Sequence, residues 1–584
     1  MRKSPRAAGA TAVAIGLTLA LAACGSSTSS GSGSKGGTLK IVGESENPSY
    51  DWSGAYDSAS YSTLRAYTRQ LYTNPSSNNA DDRFKVVADI ADGMPTMSSD
   101  GKTYTIKLKS DVAWNVGGQA RAVTAQDAAR GIKMLCNPAT GSGVADYFTG
   151  SVVGMKDFCT GFGAVDGTKA DAIKNYEEGK NVAGVQAVDA ETLKITLTDP
   201  ASDFLHYLTL PAASPRPIEM MAYVPDSPDS RQHLISDGPY MVAGYVPDKS
   251  FTLVRNPLWK ASTDSTRKAY VDRIETTYGG TSDSIQQQIE AGTADLAVSN
   301  EPVPTASLSG LLRQNSPQLH VDPTGGPRYA VFNLVGTNAA MKNLAVRQAV
   351  SYAINKSAIA QQLGGTRVEK PIGQIFTESA FGAGFKAIDP YATKDSAGDT
   401  AKAKQLLSQA GVSGVTIKLA YPSRGVSPKI ATSIQTDLEA AGIKVEPVSV
   451  NPSDYFRNFL GQTSVAKAGK WDVALLNFTP DWEGAAQRSM FSQLLDGRGI
   501  GAVTANVGNY NNDAVNKLAD AAVAATSQND AASKWNEVDA KIMADAPWVP
   551  LVEDNQANFT SSRLKNFQYQ FTALNADITN VSVS

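Results

Sequence analysis

The chain has 584 residues, 42% of them apolar and 19% charged, the composition of an ordinary folded protein long enough for two or three lobes. Its 53 basic and 56 acidic residues leave a formal charge of −3, so its overall charge gives no attraction to a polyanion and nucleic-acid binding is not expected. Beyond the N-terminal segment no apolar run approaches the roughly 20 residues of a membrane span.

At the N-terminus, Arg2, Lys3 and Arg6 precede an apolar run from about Ala10 to Ala20 that is too short to cross a bilayer, which makes residues 1–23 a targeting signal. Leu21, Ala22, Ala23 and Cys24 form the pattern of a bacterial lipobox, so Cys24 is expected to carry a diacylglyceryl group; the alternative is an ordinary secretory signal with an incidental cysteine. Residues 24–37, mostly Gly and Ser, have no apolar side chain to bury and read as a flexible tether. The expected location is therefore outside the cell, lipid-anchored on the outer face of the cytoplasmic membrane. In that oxidising setting the remaining cysteines, Cys136 and Cys159, pair as a disulfide or stay as two free thiols.

Further along, Tyr104, Ile106 and Leu108 alternate with Thr105, Lys107 and Lys109 as in a half-buried strand, and "TAQDAARGIKML" follows as a helix with Thr124 and Asp127 placed as a capping pair. Strands recur at "ETLKITL" and "SFTLVRN". In "AVRQAVSYAINKSAI", Val346, Ala349, Val350, Ala353 and Ile354 form one apolar stripe of helical spacing. Then "VTIKLAY" reads as a strand, "PKIATSIQTDLEAAG" as a helix with Ile430, Ile434 and Leu438 one turn apart, "IKVEPVSV" as a strand, "PSDYFRNFLGQ" as a helix and "WDVALLNF" as a buried strand. This βαβαβ order predicts a parallel sheet whose ligand crevice lies beyond the strands' C-terminal ends, and Asp481 falls three residues past Phe478.

Catalytic apparatus is not visible. His206, His233 and His320 lie far apart without metal spacing, and there is no phosphate-binding glycine loop or nucleophile elbow. No metal, cofactor or covalent chemistry is expected.

Several blocks together resemble the extracytoplasmic solute-binding proteins of peptide ABC importers, the oligopeptide- and dipeptide-binding group of family 5. They are "DGKTYTIKLKSDVAWNVGGQARAVTAQDAARGIKML", "SDGPYMVAGYVPDKSFTLVRNPLW", "YAVFNLVGTNAAMKNLAVRQAVSYAINKSAI", "AKQLLSQAGV", "WDVALLNFTPDW" and "ADAPWVPLVEDN". The resemblance implies an α/β, periplasmic-binding-protein-like fold of two lobes with a hinge and an inserted third domain. It divides the chain into lobe I at 38–58, 186–277 and 546–584, an inserted domain at 59–185 and lobe II at 278–545. In the family an aspartate after the strand matching "WDVALLNF" holds the ligand's α-ammonium, and that position is Asp481. Phe478 and Trp482 beside it, with Glu46 and Asn47 of the loop "GESENPSYDW", are the other ligand contacts the resemblance implies. The chain departs from the family where Asn477-Phe478 replaces a common Gly-Trp and where Trp482, Glu483, Gly484 and Ala485 replace a common Asp-Pro pair. Arg328, Arg347 and Arg424 are the candidates for a ligand carboxylate, Arg347 being the more structural on its packed helix. The implied partners are a peptide and the transmembrane subunits of a permease, with the chain acting as a monomer. Nickel complexes, haem or oligosaccharides are alternative ligands, and a secreted hydrolase is the alternative class.

Overall fold

The computed structural model describes residues 35–584; the expected signal, Cys24 and most of the tether lie outside the described residues. Three sheets organise the chain. In the first, the strand Thr38–Gly43 runs parallel to both Arg273–Tyr278 and Leu296–Ala297, and Ser250–Arg255 and Tyr240–Val246 continue the sheet antiparallel on the Arg273–Tyr278 side. Leu39 and Ile41 point into its core, as their spacing requires.

The second sheet has six strands in the order Lys370–Pro371, Trp548–Phe559, Leu319–Phe332, Val473–Asn477, Thr416–Pro422 and Lys444–Val450. The last three are mutually parallel, as the βαβαβ pattern predicts. Helix Ser427–Ala440 between them buries Ile430, Ile434 and Leu438, and helix Leu344–Ala353 buries Val346, Ala349, Val350 and Ala353 against the same core. The segment expected as one helix at 452–462 is split: a short turn at Pro452–Asp454 passes into a π-helix at Tyr455–Leu460. There Tyr455 is buried and its single O–H lies within hydrogen-bond distance of the carbonyls of Leu475 and Ala420, at 2.8 and 3.0 Å, which places it across two neighbouring strands.

A third, four-stranded antiparallel sheet, Thr96–Met97, Thr103–Lys107, Thr192–Thr196 and Val185–Ala187, forms the inserted unit. Tyr104, Ile106 and Leu108 are buried on one side, and helix Ala125–Met134 starts with the expected capping box between Thr124 and Asp127. Cys136 and Cys159 are disulfide-bonded with Cα atoms 5.2 Å apart, which joins the end of that helix to helix Met155–Phe162.

Strand pairing moves three of the expected boundaries. Val185–Ala187 and Thr192–Thr196 hydrogen-bond into the inserted sheet, so a division at 185/186 would cut that sheet. Leu296–Ala297 pairs with Thr38–Gly43, so lobe I extends past residue 277. Trp548–Phe559 pairs along its length with Leu319–Phe332, so it belongs to the second sheet rather than to lobe I. These two long strands also connect the lobes: beyond Phe559, Thr560 bridges to Leu296, whereas Val331 pairs with Ala474 deep in lobe II. Their register breaks between Pro323 and Pro327, where Gly325 adopts φ +71°. A Cβ on Gly326 would collide with the Phe478 carbonyl, so the close approach of the connecting strand to the 478–481 loop needs glycine there. The fold is thus two α/β lobes joined by a strand pair, with an inserted third unit.

Candidate functional site

Asp481 lies where three parts of the chain meet. It follows the strand Val473–Asn477 of lobe II, and its carboxylate accepts a 2.6 Å hydrogen bond at Oδ1 from the hydroxyl of Tyr56, which belongs to the loop before helix Ser58–Tyr67. At Oδ2 it accepts from the hydroxyl of Tyr147, on helix Ala145–Thr149 of the inserted unit, and from Gln493 Nε2 at 3.3 Å. Gln493 Nε2 also lies 3.3 and 3.0 Å from the hydroxyls of Tyr56 and Tyr147, so its two N–H donors are shared among three acceptors. Among the described residues these donors are neutral. Burial pushes the Asp481 carboxyl up to about 6, and the two tyrosine hydrogen bonds only partly oppose this. A half-buried carboxylate held by hydroxyls and an amide has room in its electrostatics for a cation.

The ring of Tyr147 is fixed in an aromatic cluster. Its centroid lies 5.1 Å from that of Tyr207 and 5.3 Å from that of Trp482, and Trp482 in turn stacks on His206 at 5.7 Å. Trp482 is fully buried, and its indole N–H donates to the Ala485 carbonyl at 2.9 Å, so it supports the wall behind Asp481 and offers no free surface to a ligand. His206 is buried in the same cluster, and burial lowers its imidazole to about 4, so it is neutral at physiological pH.

Two ion pairs made by residues just after Asp481 cross between units. Glu483 takes Arg83 in a two-pronged grip with both contacts at 2.7 Å and both side chains almost wholly buried. Arg488 pairs with Asp203 at 3.1 Å, donates to Ser151 Oγ at 3.0 Å and lies 5.4 Å above the Tyr207 ring. Burial of Asp203 raises its carboxyl despite this arginine.

The other expected contacts are placed differently. Phe478 is half-buried, its amide donating to the Pro327 carbonyl at 3.2 Å, and it adjoins the connecting strand two residues before the loop reaches Pro480. Glu46 is neutralised inside lobe I by Arg231 at 2.5 Å, by the Tyr245 hydroxyl at 2.8 Å and by the Asp248 amide. Asn47 is buried and donates to Thr63 Oγ1 and the Ala59 carbonyl, which anchors helix Ser58–Tyr67. The loop after the first strand does reach Asp481, but through Tyr56, ten residues past Glu46. Arg347 donates to the carbonyls of Met341, Asp545 and Ala546, the structural role expected of it. Arg328 grips Asp554 with two bonds of 2.9 and 3.0 Å, and Arg424 is exposed in the loop after strand Thr416–Pro422.

Tyr56, Tyr147 and Gln493 were not singled out by sequence reasoning. Tyrosine and glutamine carry no motif; Gln493 lies 12 positions after Asp481, but Tyr56 and Tyr147 lie 425 and 334 positions before it, so only the fold brings the tyrosines to it.

Two α/β lobes, a connecting strand pair and a carboxylate at the junction of the units define a bilobal binding protein. A model of the bacterial extracellular solute-binding proteins, family 5 (middle region), matches residues 85–497, well over half of the chain, and the chain belongs to this family. It is 25% identical over 399 residues to Heme-binding protein A of Haemophilus influenzae, the match covering 66% of each chain. To the Glutathione-binding protein GsiB of Salmonella paratyphi A it is 22% identical over 533 residues, covering 88% of each. Among solved structures, Clavulanic acid biosynthesis oligopeptide binding protein 2 superposes with a TM-score of 0.81 at 22% identity, over 94% of this chain and 96% of the other.

Proposed function

We propose that the protein is the substrate-binding component of an ABC importer, that it captures peptides between its lobes and that Asp481 takes the ligand's α-ammonium. It delivers them to a membrane permease while tethered to the outer face of the cytoplasmic membrane by lipid on Cys24. The observation that carries this reading is the Asp481 carboxylate itself, at the junction of the units with neutral partners. An ammonium there adds a full positive charge to its hydrogen bond with the carboxylate in a site poor in water, a stronger bond than the one from the neutral donor it replaces. Family membership supports binding without covalent chemistry, and the name of the oligopeptide-binding structural neighbour supports peptide as the solute class. Closure of one lobe on the other about the connecting strands supplies the capture step. A glutathione-type ligand, suggested by one relative's name, also carries a free ammonium and meets the same requirement.

The test begins with mass spectrometry of solutes that co-purify with the protein. Calorimetry with synthetic peptides then compares wild type with Asp481→Asn, which is expected to lose at least tenfold in affinity, about 1.4 kcal/mol. Equal affinity of the wild type for free-amine and N-acetylated peptides refutes the assignment of Asp481.

A further inference from the structure

The two hydroxyls on Asp481 are held very differently. Tyr147 is 6% exposed and packed between Tyr207 and Trp482, so its ring has no alternative position. Tyr56 is 41% exposed, although its hydroxyl makes the 2.6 Å bond to Asp481 Oδ1. Its backbone is fixed on both sides: the Ala55 amide donates to the Asp51 carbonyl, and the Asp57 carboxylate caps helix Ser58–Tyr67 by accepting from the Ser60 amide at 2.8 Å. Only the side chain is free to turn. One side of the ring rests on Gly143, where a Cβ would collide with it. The ring also borders an open cavity of about 910 Å³, lined by Pro48, Ser49, Asp57, Thr140, Thr168 and Pro225 among others, with room to receive it.

We propose that Tyr56 is a gate on the ligand-ammonium seat: its hydroxyl occupies Asp481 Oδ1 until a ligand ammonium displaces it, and the ring then turns about its side-chain torsions into the adjoining cavity. The inference rests on the reading of Asp481 as that seat. Physically, the hydroxyl is a weaker, neutral competitor for a carboxylate that would otherwise stand partly desolvated. The apparent affinity of any ligand using the seat is lowered by the fraction of molecules in which the gate is shut. Side-chain rotation at an exposed position is fast, so the gate changes affinity without slowing entry. Tyr147 and Gln493 stay in place and continue to orient the carboxylate after the gate opens.

The experiment uses calorimetric titration of the mature protein with a randomised tri- to pentapeptide mixture bearing free amines, and with the same mixture N-acetylated. Wild type, Tyr56→Phe, Asp481→Asn and the double variant are compared, with thermal melts confirming that each is folded. Removal of the hydroxyl is expected to tighten free-amine binding on the order of fivefold. In the Asp481→Asn background the same substitution is expected to change affinity by less than about twofold, because the gate then has no charge to guard. Weaker or unchanged binding by Tyr56→Phe, alongside a clear loss in Asp481→Asn, overturns the gate and leaves the ammonium seat standing. No loss in Asp481→Asn, or no binding of the free-amine mixture to wild type, refutes the seat and the gate together.

Discussion

The ion pair between Arg83 and Glu483 gives a sharp test of how the units are held together. Arg83 ends the short helix Ala80–Arg83, whose approach is tied to the C-terminal segment by Asn78 donating to the Phe567 carbonyl and by the Ser77 amide donating to the Tyr569 carbonyl. Glu483 sits two residues past Asp481 in lobe II. The side chains are 4% and 1% exposed, and the guanidinium meets both carboxylate oxygens at 2.7 Å while also donating to the Ser77 carbonyl at 3.0 Å. Glu483→Gln keeps the shape but leaves a buried guanidinium without its counter-charge. Removing one member of such a pair costs about 3–5 kcal/mol, whereas replacing both with apolar groups of similar volume is close to neutral. Equilibrium urea unfolding at pH 7, followed by tryptophan fluorescence and far-ultraviolet circular dichroism, on Glu483→Gln, Arg83→Met and the double variant measures this. The double variant is expected to be far less destabilised than the sum of the singles. A single-variant cost below about 1 kcal/mol, or additivity within about 0.5 kcal/mol, would show that the pair is not sequestered as the geometry indicates.

Other expected outcomes follow from the same buried chemistry. His206, lowered from 6.5 to about 4 by burial, must gain a proton in the unfolded chain before it does in the folded one. Its contribution to stability is therefore present above about pH 6.5 and falls away as the pH drops towards 4, by about 3 kcal/mol in all. His206→Phe, which keeps the stack on Trp482, should narrow the gap between stability at pH 7 and at pH 4.5; an unchanged gap would place the acid sensitivity elsewhere. For Asp481, raised from 3.8 to about 6, the sign is opposite: its contribution is present below about pH 4 and is lost as pH rises through 6, by about 3 kcal/mol. Asp481→Asn should therefore gain on wild type in melting temperature between pH 4 and pH 7, and a constant difference between the two would refute the desolvated carboxylate. Cys136→Ser with Cys159→Ser opens a loop of sequence separation 23 and should cost about 3 kcal/mol in urea unfolding. A loss under about 1 kcal/mol would mean that the packing of helices Ala125–Met134 and Met155–Phe162 suffices without the bond.

What the sequence by itself determined is what depends on near neighbours along the chain. Alternation at Tyr104, Ile106 and Leu108, the three-and-four spacing of Ile430, Ile434 and Leu438, and the Thr124–Asp127 capping box each follow from backbone geometry over a few residues, and each is present in the fold. The parallel arrangement of Thr416–Pro422, Lys444–Val450 and Val473–Asn477 was legible for the same reason, since right-handed crossovers leave one way to pair such strands. Asp481 was singled out as a candidate by its place after one of them and by family resemblance.

Tertiary structure alone decided which loop residue meets that carboxylate. Glu46 was a candidate because its loop matches the family's early ligand-contacting loop, yet Arg231, 185 positions away, lies close enough to neutralise it. Tyr56 carries no motif, but the turn after Trp52 brings its hydroxyl across to Asp481. The lobe boundaries went the same way: Trp548–Phe559 belongs with Leu319–Phe332 because backbone donors and acceptors more than 200 positions apart complete each other's ladder. Hydrogen bonds and ion pairs between distant segments form only once the chain is folded, and local sequence periodicity carries no record of them.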